Sequence, residues 1–471
     1  MPDLPPDGDT GYDLVVLGGG SGGYACALRA AQLGQRVALV ERDKLGGTCL
    51  HRGCIPTKAM LHAAEVADTA REGARFGVHS SVESIDLAGV QAYQQGVVGR
   101  LYKGLQGLVS AAEVELVTGV GRLVPGPSGV PAVQVTGGDA ERTLVGRHLV
   151  LATGSRARTL PGVEIGGRVL TSDEALQLTE LPGSVVVLGG GVIGVELASV
   201  FRSFGAEVTV VEALPRLVPA EEESISKALE RAFRKRKIAI RTGARVASVS
   251  QDSDSATLNL EDGSSLTADI VLVAVGRGPV TDGMDFEFAG IELDRGHVVV
   301  DERLRASVPG VYAVGDIVPG LQLAHRGFAH GIFVAEDIAG LAPSPVSDRG
   351  IPKVTYCDPE IASVGLTEAQ AREEHGDAVQ CLEYNLAGNG KSQILGTSGF
   401  VKLVRVADGP VVGVHMIGAR MGEQIGEAML VVGWDAQPED VAPMLHAHPT
   451  QNEALGEAHL ALAHKPLHAH A

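Results

Sequence analysis

Short apolar runs alternate with glycine turns and alanine-rich stretches over the first part of the chain. Asp13–Leu17 is patterned as a buried strand, the Ala-rich segment after it as a helix up to Gly34, and Arg36–Val40 as a second strand. The same order of strand, helix and strand recurs over residues 184–211. Repeated units of this kind predict an α/β fold with two Rossmann-like dinucleotide-binding domains.

Each repeated unit carries a glycine fingerprint between its first strand and its helix. The pattern G-x-G-x-x-G is matched by Gly18, Gly20 and Gly23 and again by Gly189, Gly191 and Gly194. Its glycines permit a tight turn, close approach of a pyrophosphate, and packing of helix on strand. Glu41 and Glu212 end the second strands, where an acidic residue binds ribose hydroxyls. Glu212 favours NAD over NADP, although Arg216 lies nearby.

The patterns further along the chain predict that the first nucleotide domain is discontinuous, with the second inserted into it. From Ile351 onward, alternating apolar and polar residues, as in Phe400–Val406, predict a separate α+β domain. The predicted boundaries are 1–155 and 277–350 for the first nucleotide domain, 156–276 for the inserted one and 351–471 for the last.

Cys49 and Cys54 form the most informative pair of side chains. They follow two glycines, and Pro56 suits the first turn of a helix that is predicted to continue over Lys58–Ala70. Cys54 is therefore expected at a helix N-terminus, where the helix dipole and the charge of Lys58 favour a thiolate. This setting predicts a redox-active dithiol.

The other cysteines give no support to a metal site. Zinc would need a second closely spaced group of ligands, whereas Cys26, Cys357 and Cys381 are scattered singly. We expect these three to be buried, inert thiols.

A histidine-rich segment near the end of the chain contains a candidate base. Glu453 lies five residues after His448 and could orient it, as a carboxylate does for a general base. Surface or metal-binding histidines are the alternative, because His459, His464, His468 and His470 follow without a pattern. Spacing alone leaves both possibilities open.

Composition narrows the class of protein. At 471 residues, 45% of them hydrophobic, the chain is too long for one core and predicts about three or four domains. A net charge of −18 makes nucleic acid a poor partner, and the acidic surface could instead attract a basic protein module. No apolar run is long enough for a bilayer, and Met1–Thr10 lacks signal-peptide features and is expected to be a short disordered lead. Five cysteines without an even framework favour a reducing compartment, and the cytoplasm is the simplest.

Four motifs together resemble those of the FAD-dependent pyridine nucleotide–disulfide oxidoreductases. They lie at Gly46–Lys58, Gly191–Glu196, Val311–Asp316 and His446–Glu453, and the resemblance extends from Asp13 to about His459. It implies FAD on the first fingerprint, NAD on the second, and a last domain that forms a homodimer.

The same resemblance assigns roles to the candidate residues. It implies that Cys54 faces the flavin, that Cys49 exchanges with substrate, and that His448, held by Glu453, is the base for the partner subunit's dithiol. The implied FAD contacts are Gly18, Gly20, Gly23, Glu41, Gly47, Thr48, Lys58, Gly121, Thr153, Gly154, Asp316 and Ala324. The implied NAD contacts are Gly189, Gly191, Gly194, Glu196, Glu212, Val246 and Gly276, with Glu196 paired to Lys58. Departures from the family pattern are His51, Arg52, Thr57 and His330.

The implied function is oxidation of protein-bound dihydrolipoamide, with electrons passing through a Cys49–Cys54 disulfide and FAD to NAD+. The implied partners are the lipoyl domains and acyltransferase core of a 2-oxoacid dehydrogenase complex. A reductase of a small disulfide such as glutathione is the alternative, although those enzymes usually need NADPH and Glu212 opposes it. Mercuric reductases and large thioredoxin reductases carry further C-terminal cysteines or selenocysteine, and no cysteine follows Cys381 here. The intact cysteines and His448 argue against a purely structural subunit.

Overall fold

A computed structural model describes residues 11–126, 129–138 and 141–468 of the chain. The expectation for Met1–Thr10 and the histidine at 470 lie outside these described residues. The chain divides into two compact units, which are described separately. Unit 1 consists of the residues up to Ala59 with Ala88–Arg158 and Arg277–Asp348, and unit 2 of Met60–Leu87, Thr159–Gly276 and the residues from Arg349 onward. The four predicted domain boundaries remain a prediction.

The strands and helices follow one another along both units. The strands are β1 Gly11–Leu17, β2 Val37–Glu41, β3 Glu115–Thr118, β4 Val120–Val124, β5 Ala132–Thr136, β6 Arg142–Leu151, β7 Ser155–Ala157, β8 Val169–Leu170, β9 Ser184–Leu188, β10 Glu207–Val211, β11 Ala239–Arg241, β12 Val246–Gln251, β13 Ala256–Leu260, β14 Ser265–Ala268, β15 Ile270–Val273, β16 Arg277–Pro279, β17 Leu293–Asp294, β18 His297–Val298, β19 Val311–Ala313, β20 Lys353–Thr355, β21 Glu360–Gly365, β22 Val379–Asn385, β23 Phe400–Val406 and β24 Val411–Gly418. The helices are α1 Ser21–Gln32, α2 Gly47–Arg52, α3 Cys54–Glu72, α4 Leu87–Ala111, α5 Ser172–Ala175, α6 Val192–Phe204, α7 Glu223–Lys235, α8 Ala324–Ile338, α9 Glu368–His375, α10 Gly390–Leu395, α11 Met421–Gly433, α12 Pro438–Val441 and α13 Glu453–Leu462.

Unit 1 is built on a parallel sheet in the order β3-β2-β1-β6-β19, to which β5 and β4 add antiparallel strands. Helices α1 and α8 pack so closely that only glycine fits at one contact. A Cβ at Gly331 would lie 2.3 Å from the carbonyl oxygen of Gly22. The carboxyl ends of β1 and β2 thus meet the start of α1 at one edge of the sheet, which is where Rossmann-type folds bind ligands.

Unit 2 contains a second parallel sheet, in the order β11-β10-β9-β15-β8, and an antiparallel sheet in the order β20-β21-β24-β23-β22. Polar side chains connect the antiparallel sheet to the segment just before α7 and to the start of α9. Lys402 of β23 donates to Glu222 at 2.9 Å and to Glu368 at 2.7 Å, and Ser363 donates to Glu221 at 2.5 Å.

The predicted fold class is confirmed, since both strand–helix–strand units are present and an α+β segment follows them. The helix that was predicted to start at Cys54 and to continue over Lys58–Ala70 does start at Cys54 and ends at Glu72. In the described part of the chain, no helix has the length and apolar character needed to cross a membrane.

Candidate active site

The first glycine fingerprint forms a cradle whose shape depends on the missing side chains. Gly18 has a φ of +108°, and a Cβ there would lie 2.3 Å from the carbonyl oxygen of Ala152. A Cβ on Gly23 would lie 1.8 Å from the carbonyl oxygen of Gly18, so only glycine lets α1 start against β1. A Cβ on Gly20 would meet nothing within 4 Å, so this side of the cradle is open.

Glu41 is held at the edge of this cradle by backbone donors. Its Oε2 accepts from the N–H of Gly19 and its Oε1 from the N–H of Asp43, both at 2.8 Å. A carboxylate has about four acceptor positions, so Glu41 can still bind ribose hydroxyls. The predicted role of this acid therefore agrees with its position.

A cavity of about 120 Å³, open to solvent, lies next to the cradle. It brings together the predicted FAD contacts Gly18, Gly20, Glu41, Gly47, Thr48, Gly121, Thr153 and Gly154. Sequence reasoning did not assign the further lining residues Arg42, Asp43, Lys44, His51, Arg52, Gly119, Val120 and Met284 to it. The run of charged residues directly after β2, at positions 42–44, was the sequence feature from which part of this lining could have been predicted. Open backbone donors at a helix N-terminus together with an anchored acid fit the pyrophosphate and ribose of a dinucleotide such as FAD.

Asp316 belongs to a second polar group in unit 1. Its Oδ2 accepts from Ser155 Oγ at 2.5 Å, and Arg277 Nε donates to the same hydroxyl at 2.8 Å. Ala324 is the first residue of α8. Ser155 also lines the cavity described above, whereas Asp316, Ala324 and Lys58 do not. The contacts of these last three residues with FAD remain a prediction.

The dithiol joins two helices. Cys49 lies in the short helix α2, and Cys54 is the first residue of α3. The expected helix N-terminus at Cys54 is therefore confirmed. Both cysteines are thiols in this structure, and the predicted disulfide remains a prediction.

The two thiols interact directly. A hydrogen bond with Cys54 raises the pKa of the Cys49 thiol well above its ordinary value; burial and the charge of Cys54 add to this effect, while Lys58 acts against it. Cys49 thus retains its proton when a negative charge is placed on Cys54. The helix N-terminus favours that charge, so the geometry matches a Cys54 thiolate beside a Cys49 thiol.

The remaining cysteines lack the exposure or the low pKa that thiol–disulfide exchange requires. Cys26 and Cys357 are buried, as expected, and burial raises the pKa of both, to about 12 for Cys26. Cys381 was also expected to be buried but is only half-buried, because it lies on the edge strand β22. Burial and the nearby Glu368 still raise its pKa to about 11.

The departures from the family pattern have defined positions. His51 donates from Nε2 to the carbonyl oxygen of Leu45 at 2.9 Å and lies edge-on to Tyr102, while Arg52 pairs with Asp43. His330 is buried, and its Nδ1 accepts from the N–H of Gly315 at 3.4 Å.

Burial, with a smaller effect from Arg326, lowers the pKa of His330 to about 4. The imidazole is therefore neutral near pH 7. This chain has an uncharged acceptor where an acidic residue is frequent in the family.

The second glycine fingerprint repeats the first in detail. Gly189 has a φ of +111°, a Cβ there would lie 2.3 Å from the carbonyl oxygen of Ala274, and a Cβ on Gly194 would lie 1.9 Å from the oxygen of Gly189. A Cβ on Gly191 would meet nothing within 4 Å, so this cradle is open in the same place as the first. Glu212 accepts from the N–H groups of Gly190 at 2.7 Å and Leu214 at 2.8 Å. The residues at this cradle therefore fit a second dinucleotide.

Arg216 makes contacts that bear on cofactor choice. Its guanidinium donates to the carbonyl oxygens of Pro219 at 2.9 Å and Glu221 at 3.2 Å. An arginine held by its own loop is poorly placed to bind a 2′-phosphate, which strengthens the expectation of NAD over NADP.

The other predicted NAD contacts are less closely tied to the cradle. Gly276 follows β15 with a φ of +107°, and Val246 is the first residue of β12. Glu196 is buried in α6 and accepts from the N–H of Tyr356 at 2.9 Å. Its pairing with Lys58 remains a prediction.

His448 and Glu453 form the histidine–carboxylate pair that spacing had left open. His448 Nδ1 donates to Glu453 Oε1 at 2.8 Å, and the N–H of Thr450 donates to Oε2 at the same distance. Burial works against ionisation, yet the hydrogen bonds from Thr450 and His448 keep the pKa of Glu453 below its ordinary value. The His448 side chain is 75% exposed, so its Nε2 can act on an outside molecule.

A second pair of this kind lies beside the first and was missed from sequence. His446 Nε2 donates to Glu427 Oε1 at 2.9 Å, and Asn452 also donates to Glu427. The hydrogen bond to Glu427 raises the pKa of His446. Over the residues that the structure describes, no group of three or more histidine, cysteine or acidic side chains could hold a metal ion.

Two protein-family models match this chain. Residues 12–331 match the pyridine nucleotide-disulphide oxidoreductase model, and residues 351–459 match the dimerisation domain of the same family. The second match supports a homodimer.

Known proteins resemble the chain over nearly its whole length. The dihydrolipoyl dehydrogenase of Bacillus subtilis is 43% identical, over 98% of this chain and 99% of its own. LpdA from Mycobacterium tuberculosis has a TM-score of 0.89 at 26% identity, over 95% of this chain and 99% of its own. The HOCl-induced flavoprotein disulfide reductase RclA of Escherichia coli has a TM-score of 0.84 at 27% identity, over 95% of this chain and 99% of its own.

Proposed function

Because the chain belongs to the pyridine nucleotide–disulphide oxidoreductase family, we propose that it oxidises protein-bound dihydrolipoamide and delivers the electrons to NAD+. Membership of the family implies FAD and NAD(H) as cofactors. The observation that carries the proposal is the pair of interacting thiols with Cys54 at a helix N-terminus. The choice of substrate is supported by the full-length similarity to a dihydrolipoyl dehydrogenase.

In the dithiol step, the two sulfurs take the roles that the family resemblance implies for them. His448 takes a proton from one substrate thiol at Nε2, and the resulting thiolate attacks the sulfur of Cys49 in the disulfide. The Cys49–Cys54 bond breaks, and Cys54 leaves as a thiolate that the helix N-terminus stabilises. The second substrate thiol then attacks the sulfur of the first as its proton passes to the leaving Cys49, while His448 keeps the first proton. This releases Cys49, which takes up a proton, and leaves an oxidised lipoyl disulfide.

Bound FAD would supply the two-electron relay between the reduced dithiol and NAD+. The first cradle and Glu41 would hold it, and the second cradle and Glu212 would hold NAD(H). Glu453 keeps the proton of His448 on Nδ1, so that Nε2 is free to accept one. This chain therefore contributes the geometry of exchange and the proton acceptor.

The partners that we propose are the lipoyl domains and acyltransferase core of a 2-oxoacid dehydrogenase complex. With a net charge of −18, this chain would be attracted electrostatically to a basic binding module on that core. The cytoplasm remains our prediction for the compartment.

Steady-state turnover tests the activity and the cofactor together. We expect turnover with dihydrolipoamide and NAD+, and a kcat/KM for NADH above that for NADPH by at least about tenfold, because a 2′-phosphate would bring like charge against Glu212. Glu212→Gln is the matched variant and should narrow the gap. Rapid reduction of glutathione disulfide with NADPH, and none of lipoamide with NADH, would select the small-disulfide reductase instead.

Subunit mixing tests whether each site is shared between two subunits. Cys49→Ser and His448→Gln proteins should each be inactive, while a 1:1 mixture of reassociated dimers should regain about a quarter of the activity, since half of the dimers carry one intact site of two. Verified mixed dimers that stay inactive would place both groups in one subunit. Mixtures within each single variant serve as the control and should remain inactive.

A further inference from the structure

The segment after α13, residues 463–468, folds back onto that helix, and we call it the tail. The N–H of Lys465 donates to the carbonyl oxygen of Leu460 at 2.8 Å and turns the tail around. His468 then binds Glu457 twice: its Nδ1 donates to Oε1 at 2.9 Å and its backbone N–H to Oε2 at 3.0 Å. Both oxygens of this carboxylate thus have donors from a single tail residue.

Glu457 is a neighbour of the residue that orients the candidate base. It lies four residues after Glu453 on α13, and side chains at this spacing share one face of a helix. Glu457 is only 8% exposed. Two carboxylates at this spacing repel each other, more strongly where water is excluded.

Tyr384 shows that the two carboxylates belong to one cluster. Its side chain is buried, and burial, then Glu457, then Glu453 raise the pKa of its hydroxyl to about 12. A Cβ at Gly388 would lie 3.0 Å from the carbonyl oxygen of His468 and 3.1 Å from the Tyr384 hydroxyl. The tail therefore closes one side of the cluster that contains Glu453.

The donors in this cluster are divided between the two acids. Glu453 takes the N–H of Thr450 and Nδ1–H of His448, while Glu457 takes both donors of His468. A buried carboxylate that loses a donor must find another or take up a proton. Without the His468 side chain, Glu457 keeps only the backbone donor on Oε2, and its Oε1 becomes a competing acceptor beside Glu453.

We propose that His468 is a positioning residue for the base: by occupying Glu457, it leaves Glu453 with both of its own donors and so keeps His448 oriented. The proposal rests on the proposed function, in which His448 accepts the substrate proton. His468 itself touches neither substrate nor cofactor in this scheme.

Three substitutions of His468 separate its hydrogen bond from its bulk. His468→Ala removes the side-chain donor, His468→Asn keeps one where Nδ1 lies, and His468→Gln places one where Nε2 lies. Rapid mixing with dihydrolipoamide should show roughly three- to tenfold slower reduction for the Ala and Gln proteins, and near-normal rates for Asn. Reduction by NADH should be unchanged in all three.

Two further variants act as controls. His464→Ala changes an exposed histidine of the same tail and should leave both half-reactions unchanged. Glu457→Gln removes the competing charge, so adding His468→Ala to it should cost little more, unlike in the wild-type background. An unchanged His468→Ala protein, or one slowed equally in both half-reactions, would overturn the proposal.

A crystal structure of the His468→Ala protein tests the positioning role of His468 without an activity measurement. We expect Glu453 to have left Nδ1 of His448 in it, and an intact contact would count against the positioning role. A wild-type protein that fails to oxidise dihydrolipoamide would refute the proposed function, whereas this structural outcome would still decide how the tail acts on the pair.

Discussion

Cys49→Ser protein will not oxidise dihydrolipoamide at a measurable rate, yet its flavin will still be reduced by NADH. A serine oxygen can neither form the disulfide nor accept attack by the substrate thiolate, so the exchange step has no route. The expected loss in dihydrolipoamide turnover is on the order of 10⁴-fold or more, since covalent exchange is removed and not merely slowed.

Cys54→Ser should be equally inactive but spectroscopically different. The interaction of the two thiols raises the pKa of Cys49, and the helix N-terminus at the start of α3 favours a negative charge on Cys54. A thiolate next to FAD gives a long-wavelength absorption band, which should persist in Cys49→Ser and disappear in Cys54→Ser. Cys381→Ser is the matched control, because it replaces a half-buried cysteine on β22, away from the dithiol helices. This protein should keep both its activity and the long-wavelength band on partial reduction. A Cys54→Ser protein that keeps the band would reverse the roles of the two sulfurs.

The cradles and the dithiol were predictable because their causes are local. Gly23 is needed because a Cβ there would meet the carbonyl oxygen of Gly18, five residues earlier, and Glu41 is anchored by N–H groups of Gly19 and Asp43 within the same strand–helix–strand unit. Such requirements leave a mark in the spacing of a few residues. The position of Cys54 follows in the same way from the glycine and proline around it.

Contacts between residues that are far apart in the sequence give no such spacing pattern. Arg216 looked available for a 2′-phosphate, but the loop that follows it turns back and presents two carbonyl oxygens to its guanidinium. His468 looked like a member of an unpatterned run, and His446 was given no role of its own, yet each has its own carboxylate on α11 or α13. These pairings depend on how α11, α13 and the tail pack together, which spacing does not encode. The pair of His448 and Glu453 was the exception because only one turn of chain separates them.

His448→Gln should slow oxidation of dihydrolipoamide by roughly 10²–10⁴-fold while FAD stays bound, since free lipoyl thiols are mostly protonated at neutral pH and need a base. Glu453→Gln should slow it less, because the imidazole remains and loses only its charged anchor. Reduction by NADH should change little in either protein, because that half-reaction needs no proton from the substrate dithiol. Rapid-mixing kinetics of the two half-reactions measure each effect separately.

His446→Gln provides the matched control for this prediction. It removes an imidazole from a neighbouring histidine–carboxylate pair, but one whose side chain is only 11% exposed and so cannot meet a substrate as His448 can. A small loss shared by both half-reactions is expected from it, as for a structural contact. If His448→Gln behaves in the same way, with both half-reactions slowed alike, then His448 holds the loop before α13 in place and another group accepts the proton.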